Sequence, residues 1–183
     1  MGPVEQIAVS PDGTRVASSS GNAILLWEVA SGSHHSLAGH SGTVHGLSFS
    51  PRGDRLLSYA ADKTLKIWNL VDGGVTTLEG HEALVRAGSF SPDGSLVASG
   101  SDDRSIRLWS ASGDLRAVLR GHRGYISELH FSPDGKSVVS AGRDSEIRVW
   151  AFRAADQLPL LPTEFATWIR SQSSFTAGQQ EDR

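Results

Sequence analysis

The chain contains no cysteine. That excludes a disulfide framework, thiolate catalysis and every cysteine-based metal site. It has no apolar run approaching the roughly 20 residues that span a bilayer. Its start, Met1-Gly2-Pro3-Val4-Glu5, lacks the charged and apolar regions of a secretion signal. It has no basic excess either: 17 Lys and Arg against 20 Asp and Glu give a net charge of -3. The balance argues against nucleic acid and membrane surfaces as partners, and the expected location is cytoplasmic. No Gly-x-x-x-x-Gly-Lys-Ser/Thr phosphate loop occurs.

What the chain does have is a period. Trp27, Trp68, Trp109 and Trp150 stand 41 residues apart, and the sequence around each recurs with it. A repeat of this length marks one supersecondary unit copied along the chain. Each complete unit opens on Gly-His (Gly39-His40, Gly80-His81, Gly121-His122) and continues with an apolar strand pattern such as Val44, Leu47, Phe49. A Ser-Pro-x-Gly turn follows, at Ser50, Ser91 and Ser132, with Pro presetting φ. A second strand carries Ser58, Ser99 or Ser140, and a short loop carries Asp62, Asp103 or Asp144. The third strand alternates polar and apolar up to its tryptophan, the period-2 pattern of β structure, and a weaker fourth ends near Leu37, Leu78 or Leu119.

Four strands per unit with Gly-His and tryptophan landmarks resemble the WD-repeat (WD40) β-propeller family. The resemblance covers about residues 3–161, although the final Trp-Asp dipeptide is replaced by Trp followed by Glu28, Asn69, Ser110 or Ala151. It implies an all-β propeller segment of four four-stranded antiparallel blades, at about 3–38, 39–79, 80–120 and 121–161. Residues 162–172 read as a short C-terminal helix that starts at Thr163, with Phe165, Trp168 and Ile169 on one face. Residues 173–183 read as a disordered tail.

The Ser, His and Asp of each unit invite a catalytic-triad reading, which needs one activated Ser beside a cleft. Here the set occurs three times: His40, Ser58, Asp62 and Trp68; His81, Ser99, Asp103 and Trp109; His122, Ser140, Asp144 and Trp150. The resemblance implies a buried hydrogen-bond chain instead, from Asp to His to Ser to the indole N–H. On that reading the residues hold the fold, and no enzyme activity, metal or cofactor is expected. The first unit lacks the His and the Asp. Gly21 stands at the Asp position and one residue is missing before Trp27, so blade 1 is expected to be the least stable and the chain to begin inside a repeat.

The spacing Val44, Leu47, Phe49 is three then two, which predicts a β-bulge near residues 45–46, and likewise near 86–87 and 127–128. The resemblance places nine residues on the top rim: Thr43, His45 and Ala61; Leu84, Arg86 and Asp102; Tyr125, Ser127 and Arg143. They differ between blades, and Tyr and Arg are common anchor types, so the rim is the candidate site for a protein or peptide partner. Arg86→Ala and Tyr125→Ala are expected to weaken capture without lowering thermal stability. Lys66, Arg107 and Arg148 form a basic column on the third strands, read as a solvated face. Gly88, in place of Leu47 and Leu129, predicts looser packing in blade 3.

Propellers of this kind usually close with more than four blades, so four should leave an open arc with two apolar flanks. Three arrangements would resolve this: a homodimer closing an eight-bladed ring, a fragment of a longer array, or a self-closed four-blade form. The near-identical repeats and Leu-Pro-rich ending also resemble bacterial arrays behind a Ser/Thr kinase or signalling NTPase domain. The chain is therefore read as an interaction scaffold, with a regulatory or targeting segment of such an enzyme as the alternative.

Overall fold

The computed structural model describes residues 3–151. They form four antiparallel sheets, each a meander in which consecutive strands pair. The first holds β1 (Gln6–Val9), β2 (Arg15–Ser20), β3 (Ala23–Glu28) and β4 (His34–Leu37). The second holds β5 (Val44–Phe49), β6 (Arg55–Ala60), β7 (Leu65–Asn69) and β8 (Val75–Leu78). The third holds β9 (Val85–Phe90), β10 (Leu96–Ser101), β11 (Ser105–Ser110) and β12 (Leu115–Arg120). The fourth contributes β13 (Ile126–Phe131), β14 (Ser137–Gly142) and β15 (Ile147–Ala151). The fourth strand expected near Gln157–Leu161, the helix at 162–172 and the tail at 173–183 lie outside the described residues.

Period-2 alternation gives each strand two faces, and here both are apolar because each inner blade packs on two neighbours. Ala17, Ile24 and Leu26 of blade 1 meet Val44, Leu56, Ala60 and Trp68 of blade 2. From its other face blade 2 presents Leu57, Leu65, Ile67 and Leu78 to Val85, Phe90, Val97 and Trp109 of blade 3. Each of the Val, Leu, Ile and Phe side chains among them contributes about 1.5–3 kcal/mol on full burial. The turns stack by the same offset: Pro11 Cδ lies 3.5 Å from where a Cβ on Gly53 would sit, Pro51 3.5 Å from that of Gly94, and Pro92 3.6 Å from that of Gly135. Each turn closes with a Gly N–H donating to its Ser carbonyl, as in Gly94 to Ser91 at 2.8 Å. Its glycine has positive φ, which a larger residue adopts only with strain.

The same sidedness leaves two faces uncovered among the described residues. Val4, Ile7 and Val9 of blade 1 occupy the positions that Val44, Leu47 and Phe49 fill against blade 1, yet Ile7 is 68% exposed. Val139, Ile147 and Val149 of blade 4 occupy the positions of Leu57, Leu65 and Ile67, yet Ile147 is 76% exposed. This is the open arc of blades with two apolar flanks.

Two packing expectations are corrected. Gly88 does not leave slack. A Cβ there would lie 2.7 Å from Cδ1 of Tyr59, and one on Gly46 would lie 2.0 Å from its Cζ, so the Tyr59 ring fills the space above both glycines. Burial also pushes the Tyr59 hydroxyl's pKa up. Nor is the basic column a solvated face. Arg107 is buried at 9% exposure, and its Nη1 lies 2.7 Å from where a Cβ on Gly80 would sit. Arg148 covers Gly121 in the same way, and the Lys66 stem covers Gly39. The Gly-His glycines are therefore glycine because a cationic stem and the tryptophan ring edge cross directly over them.

Candidate functional site

The repeated Ser, His and Asp come together in every complete blade. In blade 2, the Trp68 indole N–H donates to Ser58 Oγ at 2.8 Å, and Ser58 Oγ lies 2.8 Å from His40 Nε2. His40 Nδ1 lies 2.8 Å from Asp62 Oδ2. Blade 3 repeats this through Trp109, Ser99, His81 and Asp103 at 2.9, 2.8 and 2.7 Å. Blade 4 repeats it through Trp150, Ser140, His122 and Asp144 at 2.8, 2.8 and 2.9 Å.

An indole N–H can only donate, so Ser58 Oγ accepts from Trp68. With the His40 imidazole neutral and its proton on Nδ1, donated to Asp62, Nε2 accepts the Ser58 proton. Burial holds His40 below its ordinary pKa against the pull of Asp62, which keeps that ring neutral.

The aspartates carry more than the His contact. Asp62 also accepts from the Ser41 N–H at 2.9 Å, the Thr64 N–H at 3.1 Å and Thr64 Oγ1 at 2.8 Å. Burial raises its carboxyl, but these four donors outweigh that and hold it below the usual carboxylate range. Asp103 has the equivalent set from His81, Glu82 and Ser105, and is likewise depressed. In blade 4 the position of Thr64 is Glu146, which supplies only its N–H, at 3.2 Å. The Thr64/Ser105 partner was missed in the sequence, although Asp-x-Thr and Asp-x-Ser recur at fixed spacing.

Blade 1 shows where the missing residue went. Ser18 pairs with Leu25 as Ser58 pairs with Lys66, but the connection is a tight hairpin through Gly21 and Asn22. No room is left for an Asp-bearing loop. The Trp27 N–H still donates to Ser18 Oγ at 2.9 Å, and the Asn22 amide donates to the His40 carbonyl at 3.1 Å, tying blade 1 to blade 2.

This arrangement is a poor nucleophilic site. Ser58, Ser99 and Ser140 are at most 1% exposed, and both nitrogens of each partner His are engaged. A shallow cleft of about 350 Å³, lined by Pro51, Arg52, Asp93 and Ser112 among others, opens at the other end of the blades, on the Ser-Pro-x-Gly turns. Among the described residues one group, His122, Asp144 and Glu146, brings three metal-ligand types within 4.8 Å of one another. Its His is bonded to Asp144 and its Glu146 to Arg148, so the donors serve the fold.

The rim is different. Single residues are bulged out where β5, β9 and β13 pair with their neighbours: His45, Arg86 and Ser127. Arg86 Nε donates to Asp102 Oδ1 and its Nη2 to Oδ2 at 3.0 Å, a bidentate pair within blade 3. The Arg86 guanidinium lies 4.5 Å from the Tyr125 ring centroid, and that of Arg143 lies 5.7 Å from it. Four of the nine rim residues thus form one cluster across the seam of blades 3 and 4. Thr43, His45, Ala61 and Leu84 are half-buried and Ser127 is exposed, none of them joined to that cluster by a hydrogen bond or ion pair. The arrangement also changes the expectation for Arg86: it bridges two blades, so its loss should cost stability as well as binding.

The family model for the WD domain, G-beta repeat, matches residues 2–28, 31–69, 74–110 and 113–151. No curated protein matches the chain.

Proposed function

The chain belongs to the WD40 repeat family, and from that premise we propose that it is a non-enzymatic interaction scaffold that presents its rim to a protein or peptide partner in the cytoplasm. WD40 repeats support an interaction role in general. One observation carries the reading. The His–Ser–Asp–Trp positions are the same in three blades, while the rim residues differ and cluster only around Tyr125. Constant positions hold a rigid frame, and varied ones on its edge are free to specialise. The test is peptide display on the full chain, with Tyr125→Ala and Leu84→Ala as competitors. Enriched peptides should lose binding to both variants, with the thermal midpoint unchanged in Leu84→Ala and lowered in Tyr125→Ala, which also loses the Arg86 contact across the seam. Peptides indifferent to every rim substitution would count against the proposal.

The uncovered flanks support a second element, a homodimer that closes an eight-bladed ring. The exposed face of blade 1 is of the kind that elsewhere packs on a face like that of blade 4. Such a heterologous contact either closes a ring or propagates. Light scattering should give twice the 19.5 kDa chain mass, falling to one with Ile147→Lys. A monomer, unchanged by that substitution, would overturn the dimer. The same rim would also serve a regulatory or targeting segment of a bacterial Ser/Thr kinase or NTPase; a catalytic domain encoded in frame upstream would favour that version.

A further inference from the structure

We propose that Arg143 and Tyr125 form a specificity pocket for an Asp or Glu side chain of the partner peptide. The inference rests on the scaffold reading and names what that scaffold selects. Arg86 brings a second cation to Tyr125, but Asp102 compensates its charge and fixes its position. Arg143 is exposed and has no carboxylate partner among the described residues. The Tyr125 hydroxyl likewise has no hydrogen bond within the described residues, and the ring beneath it is held by Arg86. The site therefore offers one uncompensated guanidinium beside one unused hydroxyl, on a ring that does not have to be ordered on binding.

The surroundings have the same sign. On the loops at this end of blades 3 and 4, Asp103 and Asp144 are engaged by histidines and Glu146 by Arg148. Arg104, Arg120 and Arg123 are exposed without a carboxylate partner, against two exposed unpaired carboxylates, Glu79 and Glu82. A carboxylate entering here accepts two hydrogen bonds from Arg143 and a third from Tyr125, a charge-assisted geometry that a neutral amide reproduces poorly. The single free guanidinium at the Tyr125 ring matches a monoanion. A phosphoryl dianion would call for the second arginine, which Asp102 already occupies.

The test uses the full chain labelled with ¹⁵N and three capped probes, Gly-Glu-Glu-Gly, Gly-Gln-Gln-Gly and Gly-phosphoSer-Gly, followed at the arginine Nε–H signals. The Glu probe should shift Arg143, weaken with added salt, and bind about fivefold less to Arg143→Gln, the upper range for an exposed ion pair. Tyr125→Phe should lose part of the same affinity. Equal binding of the Glu and Gln probes, or no effect of Arg143→Gln, overturns the pocket, as does a phosphoserine probe that binds tenfold tighter. Display-selected peptides that need Tyr125 and Leu84 but carry no acidic residue would overturn it and leave the scaffold intact. No selected peptide at all would count against both.

Discussion

Ser99→Ala is the sharpest probe of the buried chain, because it removes one atom that two buried groups depend on. Ser99 Oγ accepts from the Trp109 N–H at 2.9 Å and meets His81 Nε2 at 2.8 Å. Both neighbours are buried. The space left by a hydroxyl is too small to admit a water molecule. Each orphaned group costs about 1–3 kcal/mol, so the pair should cost about 2–6 kcal/mol. Ser18→Ala in blade 1 is the internal control. It orphans a single donor, and Trp27 is half-buried, so water can reach it and the loss should be about 1 kcal/mol or less. Urea unfolding followed by far-ultraviolet circular dichroism compares the two at a common denaturant slope. Equal losses would refute the reasoning, since they would mean that the His–Asp extension adds nothing to the Ser–Trp bond.

Gly46→Ala should destabilise by about 1–3 kcal/mol through its clash with the Tyr59 ring, and the loss should shrink in a Tyr59→Ala background, as a double-mutant cycle by urea unfolding would show. Acid should destabilise the protein in two stages. His40 is depressed in the folded state, so the unfolded chain takes up that proton first and stability falls below about pH 6.5; Asp62, Asp103 and Asp144 are also depressed, so a second loss follows below about pH 4. Urea midpoints between pH 8 and about pH 2 measure both stages, and a flat profile down to pH 5 would contradict the first. Amide exchange should be faster in β1–β3 than in β9–β11, because blade 1 lacks the His–Asp links and has one apolar face uncovered.

The sequence by itself determined the blade. Its 41-residue period, its Ser-Pro-x-Gly turns and its three-then-two apolar spacing fix strand order, turns and bulges, because these depend on neighbours a few residues away. The residues of the hydrogen-bonded chain were legible for a related reason: one mechanism copied three times leaves a signature that a single site would not. Contacts between blades were decided only by the tertiary structure. Tyr59 of blade 2 fills the space over Gly88 of blade 3, and Arg86 of blade 3 reaches Tyr125 of blade 4, single contacts that the repeat does not copy. Local chemistry sets which way a strand's side chains alternate, but what lies across the seam depends on how wedge-shaped sheets stack. That is why Gly88 read as slack until the neighbouring blade was in place, and Arg107 as solvated until Gly80, distant in sequence, was brought against it.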